Sequence, residues 1–250
     1  MLSKSDSKFI KSLQLKKYRK ASRSFVVEGA KNLLELSASN IEVQKLFLTE
    51  EFFQNHPVFK KYMGVVEFAA ELNLIKCGSF TTNNAGIAIC EIPQLKSIDF
   101  NIQDHFLAID NVRDPGNLGT IIRIADWYGM PQIICSESTA DCYNPKVINS
   151  TMGSFCRVQC HYVDLEQFII DSNLPVIGAG LNGANLHHYK FPEKSVIVMG
   201  NESSGISKSI EQLITEEVTI PGAGKAESLN VSTATAIFCD HLFKQKNRNS

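Results

Sequence analysis

Short apolar runs alternate with longer amphipathic stretches along the whole chain of 250 residues. In the first 93 residues a basic helix precedes the strand-like SFVVEG (24–29), the helical AKNLLELSA (30–38), and then VQKLFLT (43–49), VVEF (65–68) and GIAICEI (86–92). That succession predicts a small α/β unit. The polar stretch after Pro93 has no sustained periodicity before His105 and predicts a linker over 94–104. From 105 to 250 the runs HFLAID, QIIC, PVIGAG, SVIVMG and EEVTIP are nearly continuous in apolar residues, with helical stretches between them. Such strands predict a parallel sheet covered on both faces. Two domains are therefore expected, at 1–93 and 105–250.

Composition narrows the class. No window is long and apolar enough for a membrane span, and the N-terminus is too charged for a secretory signal. Seven cysteines, odd in number and mostly set in apolar runs, suit a reducing compartment. The nearest approach to metal-ligand spacing is Cys156, Cys160 and His161, which lacks a second paired cluster, so no metal is expected. The net charge of −1 excludes a protein that coats nucleic acid by charge alone, but the charge is unevenly distributed. Lys8, Lys11, Lys16, Lys17, Arg19, Lys20 and Arg23 cluster with only Asp6 nearby. A phosphate-binding face, a solvated helix face and a mitochondrial presequence all fit that run.

Three stretches at predicted strand ends carry candidate chemistry. The first, Asp110 to Arg123, turns at Pro115-Gly116 and enters a helix with Asn117 as its expected N-cap; Leu118, Ile121, Ile122 and Ala125 form a buried stripe, and Gly129 stops the helix. Arg123 lies off that stripe, either simply solvated or facing the crevice where α/β sheets bind ligands. The second, Val196 to Ser207, ends a strand in a glycine-rich turn holding Glu202. It lacks both the GK[ST] of a phosphate loop and the GxGxxG of a dinucleotide site. The third, Val218 to Phe238, passes through a flexible loop holding Ser228 into a helix beginning near Asn230, with Val231, Thr235, Phe238 and Leu242 as its apolar stripe.

In order and spacing these segments resemble the three signature motifs of the SpoU (TrmH) family of SPOUT methyltransferases, over residues 105–243. Residues 145–155, PKVINSTMGSF, resemble the family's PKVVRASAGA element, with Met152 where alanine is usual. The stretch 16–36, KKYRKASRSFVVEGAKNLLEL, resembles the start of the family's substrate-binding domain, a fold similar to an RNA-binding ribosomal protein.

The resemblance implies an α/β trefoil-knot domain that binds S-adenosylmethionine and methylates a ribose 2′-hydroxyl of RNA. It implies catalytic roles for Arg123, Asn117, Glu202, Ser228 and Asn230, with Arg123 either the base for the 2′-hydroxyl or the group that binds the RNA phosphate and orients the hydroxyl while water takes the proton, and cofactor-binding roles for Met199, Gly200, Asn201, Ile220, Pro221 and Leu229. With an RNA substrate, Lys16, Lys17, Arg19, Lys20, Arg23 and Arg113 become expected phosphate contacts, Arg113 with a salt bridge to Asp114 or Asp110 as the alternative. A homodimer through the C-terminal domain, a cytoplasmic location and ribosomal rather than transfer RNA complete the expectation. The competing readings are a noncatalytic ribosome-assembly factor of the same fold and a SPOUT enzyme acting on a base nitrogen.

Overall fold

The computed structural model describes residues 2–248. In chain order the elements are α1 (Lys4–Ser12), α2 (Lys16–Ser22), β1 (Ser24–Glu28), α3 (Ala30–Ser37), β2 (Val43–Leu48), α4 (Glu50–Asn55), β3 (Val66–Phe68), α5 (Glu71–Cys77), β4 (Gly86–Glu91), β5 (His105–Ile109), α6 (Pro115–Trp127), β6 (Gln132–Ser136), α7 (Pro145–Thr151), β7 (Gln159–Val163), α8 (Leu165–Ser172), β8 (Val176–Asn185), β9 (Ser195–Met199), α9 (Lys208–Glu211), β10 (Glu216–Thr219) and α10 (Val231–Arg248). They form two compact units. One is the chain up to Gln94 together with Asp141–Cys156; the other is Leu95–Ala140 with the chain from Arg157 on.

The first unit is built on a four-stranded sheet of order β1-β4-β2-β3, antiparallel except for the β2-β3 pair. Successive strand residues point to opposite faces, and here both faces are covered. Phe25, Val27, Leu46, Leu48, Ala88 and Cys90 pack on one side with Leu33 and Leu36 of α3. Val26, Phe47, Ile87 and Ile89 pack on the other with Ile10, Leu13 and Leu74. The segment containing α7 was expected to belong with the second half of the chain. Instead Ile148 is fully buried in the core of the first unit, Phe25 packs on Tyr143 at 4.8 Å, and Phe155 meets it edge-on. The apolar side of that segment completes a core that β1 leaves open, a pairing no local pattern reveals.

The second unit is a six-stranded, wholly parallel sheet of order β10-β8-β9-β5-β6-β7. Phe106, Ala108, Val196, Val198 and Ile134 face α8 and α9. The stripe of α6 is buried as expected, at Leu118, Ile121, Ile122 and Ala125, and so is that of α10, at Val231, Thr235, Phe238 and Leu242. These two helices pack against each other. One N-cap differs from expectation: Asp114, not Asn117, caps α6, its Oδ1 accepting the Asn117 N–H at 2.9 Å, with Pro115 at the first helical position. The Asn117 side chain is thereby released for another use.

Candidate functional site

The site grows from the C-terminal ends of β5, β9 and β10. Directly after β5, the buried carboxylate of Asp110 accepts the Ser207 N–H at 2.7 Å, which fixes the far end of the loop after β9. Asn111 follows in the left-handed region at φ 59°, a conformation Asn tolerates better than most residues. Its N–H donates to Ser136 Oγ at 2.9 Å, its carbonyl accepts from Asn201 Nδ2 at 2.8 Å, and its Oδ1 accepts from Arg113 Nε at 2.8 Å. The loop after β9 is closed on itself as well. Asn201 and Gly205 exchange backbone bonds of 2.9 and 3.0 Å, and Asn201 Oδ1 accepts the amides of Ser203 and Ser204. Gly200 is required here, because a Cβ would lie 2.4 Å from the Gly205 carbonyl carbon and 2.5 Å from the Ile206 nitrogen.

Three expected site residues meet in this frame. Asn117 Nδ2 donates to Glu202 Oε1, and Asn117 Oδ1 accepts from Asn230 Nδ2 at 2.9 Å. Asn230 in turn caps α10, its Oδ1 accepting the Ser232 N–H at 2.9 Å and the Ser232 hydroxyl at 2.6 Å. One amide therefore ties together the start of α6, the loop after β9 and the start of α10. It orients the Glu202 carboxylate at the mouth of the sheet.

Arg123 is not part of that network. It lies six residues further along α6, about 9 Å along the axis, exposed, with no hydrogen bond or ion pair among the described residues. Ser228 is likewise exposed and unbonded. Arg113 is exposed and held by Asn111. Of the expected cofactor residues, Met199 is buried at the end of β9 and Gly200 and Asn201 lie in the closed loop, while Ile220, Pro221 and Leu229 line the open segment after β10. From Ile220 to Leu229 no backbone group enters a backbone hydrogen bond among the described residues, and a Cβ on Gly222 or Gly224 would meet nothing within 4 Å. Backbone amides and carbonyls left unpaired beside apolar side chains are groups that can fix the orientation of a bound small molecule.

The basic run divides. Lys16, Lys17, Lys20 and Arg23 are exposed. Arg19 is not: it is 2% exposed, and its Nη1 donates to the Leu13 and Gln14 carbonyls at 2.7 and 3.0 Å. Its Nε and Nη2 both reach Asp141 Oδ2, at 3.1 and 2.6 Å. These commitments overturn the expectation that Arg19 binds RNA phosphate. Its partner lies 122 residues away in sequence, so nothing local distinguished it from its neighbours. Sequence reasoning named Asp110 and Asp114 only as alternative partners of Arg113 and passed over Asn111, although an Asp before a Pro is a recognisable helix start. Among the described residues, no group of three or more His, Cys, Asp or Glu side chains is arranged to hold a metal ion.

A parallel α/β unit with three strand-end loops tied by one asparagine defines a class, and comparison with known proteins identifies it. The chain belongs to the SpoU rRNA Methylase family, whose model matches residues 104–240. Residues 5–87 match the MRM3-like substrate binding domain. Among curated proteins, the chain is 28% identical over 242 residues, 93% of each chain, to the 23S rRNA (guanosine(2553)-2′-O)-methyltransferase RlmP of Bacillus subtilis. Among solved structures, a TrmH-family protein from Porphyromonas gingivalis is 32% identical over 96% of this chain and 98% of that one, with a TM-score of 0.83. An AdoMet-bound rRNA methyltransferase from Sinorhizobium meliloti is 27% identical over 98% and 96%, with a TM-score of 0.86.

Proposed function

We propose that this chain transfers a methyl group from S-adenosylmethionine to a ribose 2′-hydroxyl of ribosomal RNA. The observation that carries the reading is the joining of Asn117, Glu202 and Asn230 at the C-terminal ends of β5, β9 and β10, where open parallel sheets bind ligands. The residues present fit the methyl donor: a loop closed so tightly at Gly200 that no side chain can replace it, beside a segment from Ile220 to Leu229 with unspent backbone groups. Met199, Gly200, Asn201, Ile220, Pro221 and Leu229 would hold it, and when bound it supplies an electrophilic methyl on a sulfonium.

The chain's own part is positioning. A displacement at carbon requires the hydroxyl oxygen in line with the breaking bond, and fixed orientation is worth several orders of magnitude in rate. Asn117, locked between Glu202 and Asn230, supplies rigidity, and Ser228 closes the site. The Arg123 guanidinium offers donors but no acceptor, so its role is to bind a substrate phosphate and turn the hydroxyl toward the methyl, while solvent water takes the hydroxyl proton as the bond from sulfur to methyl breaks. Arg113 adds a second phosphate contact. Lys16, Lys17, Lys20 and Arg23 bind the RNA backbone through the first unit, and the 2′-hydroxyl makes the substrate RNA by construction.

The reading includes a homodimer through the second unit and a trefoil knot in it, formed where α10 follows the loop after β10. Trp127 at 80% exposure and Phe243 at 48%, on the paired helices α6 and α10, support an interface there. It also includes a cytoplasmic location; no helix of the described residues is long and apolar enough to cross a membrane. The test is transfer of labelled methyl from S-adenosylmethionine to bacterial ribosomal RNA, comparing the wild type with Arg123→Ala and Asn117→Ala. Sites resistant to alkaline cleavage that disappear in both variants support the reading. Absence of transfer by a wild type that binds donor and RNA would replace it with a noncatalytic assembly factor.

A further inference from the structure

We infer that α2 carries a stacking platform for an unpaired base, centred on Tyr18, so that the first unit recognises single-stranded RNA. This rests on the reading of the first unit as the RNA-binding part. With about 100° of turn per residue, the inward position of Arg19 sets the faces of α2. Lys16 and Lys20 fall on one flank, Tyr18 and Ser22 on the other, and Lys17 lies outermost between them; Leu15, extended, precedes the helix and Arg23, in a left-handed conformation beside Glu91, ends it. The helix thus has a cationic flank and an apolar one side by side.

The apolar flank is not explained by the core. Leu15 is 54% exposed and Tyr18 43%, and the Tyr18 hydroxyl makes no hydrogen bond among the described residues. No acidic residue occurs between Ser7 and Val27; the carboxylates that reach the run from elsewhere are Asp141, spent on the buried Arg19, and Glu91, 3.9 Å from Arg23, and Lys16, Lys17 and Lys20 keep no carboxylate partner among the described residues. Lys17 Nζ already lies 4.8 Å from the ring centroid, the approach of a cation to an aromatic face. An exposed ring amid cations is how proteins hold single strands, the ring taking a base and the cations the adjoining phosphates.

Arg19 makes the platform rigid. Its four hydrogen bonds, to Asp141 and to the carbonyls of Leu13 and Gln14, fasten α2 to the body of the unit. A ring presented on a fixed helix loses little freedom when a base covers it. A duplex keeps its bases stacked inside and offers the ring nothing but its ends, so the platform distinguishes single strands from duplex, whereas the lysines alone do not.

The experiment uses the full chain and a fluorescently labelled single-stranded RNA of mixed sequence, alongside the duplex of the same sequence. Tyr18→Ala is expected to weaken single-strand binding about tenfold, within the range for removal of a stacking aromatic, to leave duplex binding unchanged, and to leave the salt dependence unchanged. Tyr18→Phe should bind as the wild type does. Lys16→Ala and Lys20→Ala should weaken both RNAs and flatten the salt dependence. Because Trp127 is the single tryptophan, Tyr18→Trp in a Trp127→Phe background reports on position 18 alone, and its fluorescence should be quenched by the single strand. Unchanged single-strand affinity in Tyr18→Ala, with both lysine variants weakened, overturns the platform and leaves the phosphate-binding face intact. If neither the tyrosine nor the lysine variants lose affinity, the assignment of RNA binding to α2 fails as well.

Discussion

Arg19→Ala tests whether a cation in the basic run is structural. The substitution removes four hydrogen bonds of 2.6–3.1 Å. It leaves the Leu13 and Gln14 carbonyls without that donor and the Asp141 carboxylate, 16% exposed, without its cation. Removing one partner of a buried ion pair costs about 3–5 kcal/mol. The lower end applies, because Asp141 keeps some solvent and its Oδ1 still accepts the Tyr143 N–H at 3.1 Å. About 3 kcal/mol is a large part of the 5–15 kcal/mol that stabilises an ordinary domain. It should therefore appear as a lowered urea midpoint and as faster amide exchange through β1, α2 and Asp141–Cys156. Arg19→Lys keeps the charge but cannot reach the carbonyls and the carboxylate together, so it should fall between. A variant with the wild-type midpoint, weaker RNA binding and a salt dependence reduced by about one phosphate would refute the reasoning and return Arg19 to the RNA-binding face.

Gly200→Ala brings a methyl within 2.5 Å of the Gly205 and Ile206 backbone, which cannot yield as a flexible side chain would. The loop should shift at a cost of about 1–3 kcal/mol and carry Glu202 away from Asn117; calorimetry should show weakened S-adenosylmethionine binding, and normal binding would contradict the closed-loop account. Met152 holds a left-handed conformation at φ 53° with its side chain 44% exposed. Met152→Gly should therefore stabilise the first unit by up to about 1 kcal/mol, and a lower melting temperature would mean that the methionine's contacts outweigh its strain. His105, hydrogen-bonded to Ser195 Oγ at 2.9 Å, has its pKa lowered to about 4 by burial, opposed by Asp104 and reinforced by Lys246. The unfolded chain then binds a proton near pH 6.5 that the folded chain refuses. Stability is whole above pH 6.5, falls on acidification at no more than about 1.4 kcal/mol per pH unit, less for partial exposure, and levels off near pH 4. His105→Gln should flatten the urea midpoint across that window, and an unchanged slope would exclude His105 as its source.

Local pattern carried much of this protein. The apolar runs from His105 onward, too continuous for a half-exposed sheet, specified parallel strands, because burial on both faces leaves no polar alternation to observe. The stripes of α6 and α10 were legible for the same reason: a helix repeats its buried positions every three to four residues whatever it packs against. Asn117, Glu202 and Asn230 stood out at strand and helix ends, where turn chemistry restricts the residue types, but their assignment to one site came from the resemblance of those segments to the family's motifs. Their union could not be read, since their bonds span 85 and 113 residues and depend on how three loops approach one another.

Tertiary structure alone decided the rest, for one physical reason. Burial of a charge or a capping bond is a property of the partner, and the partner is set by the whole chain. Arg19 and Lys20 are equivalent in sequence, yet one faces Asp141 and the other faces water. The segment Asp141–Cys156 lies within the second half of the chain by sequence but completes the core beneath β1, because that face of the sheet had apolar area left to cover.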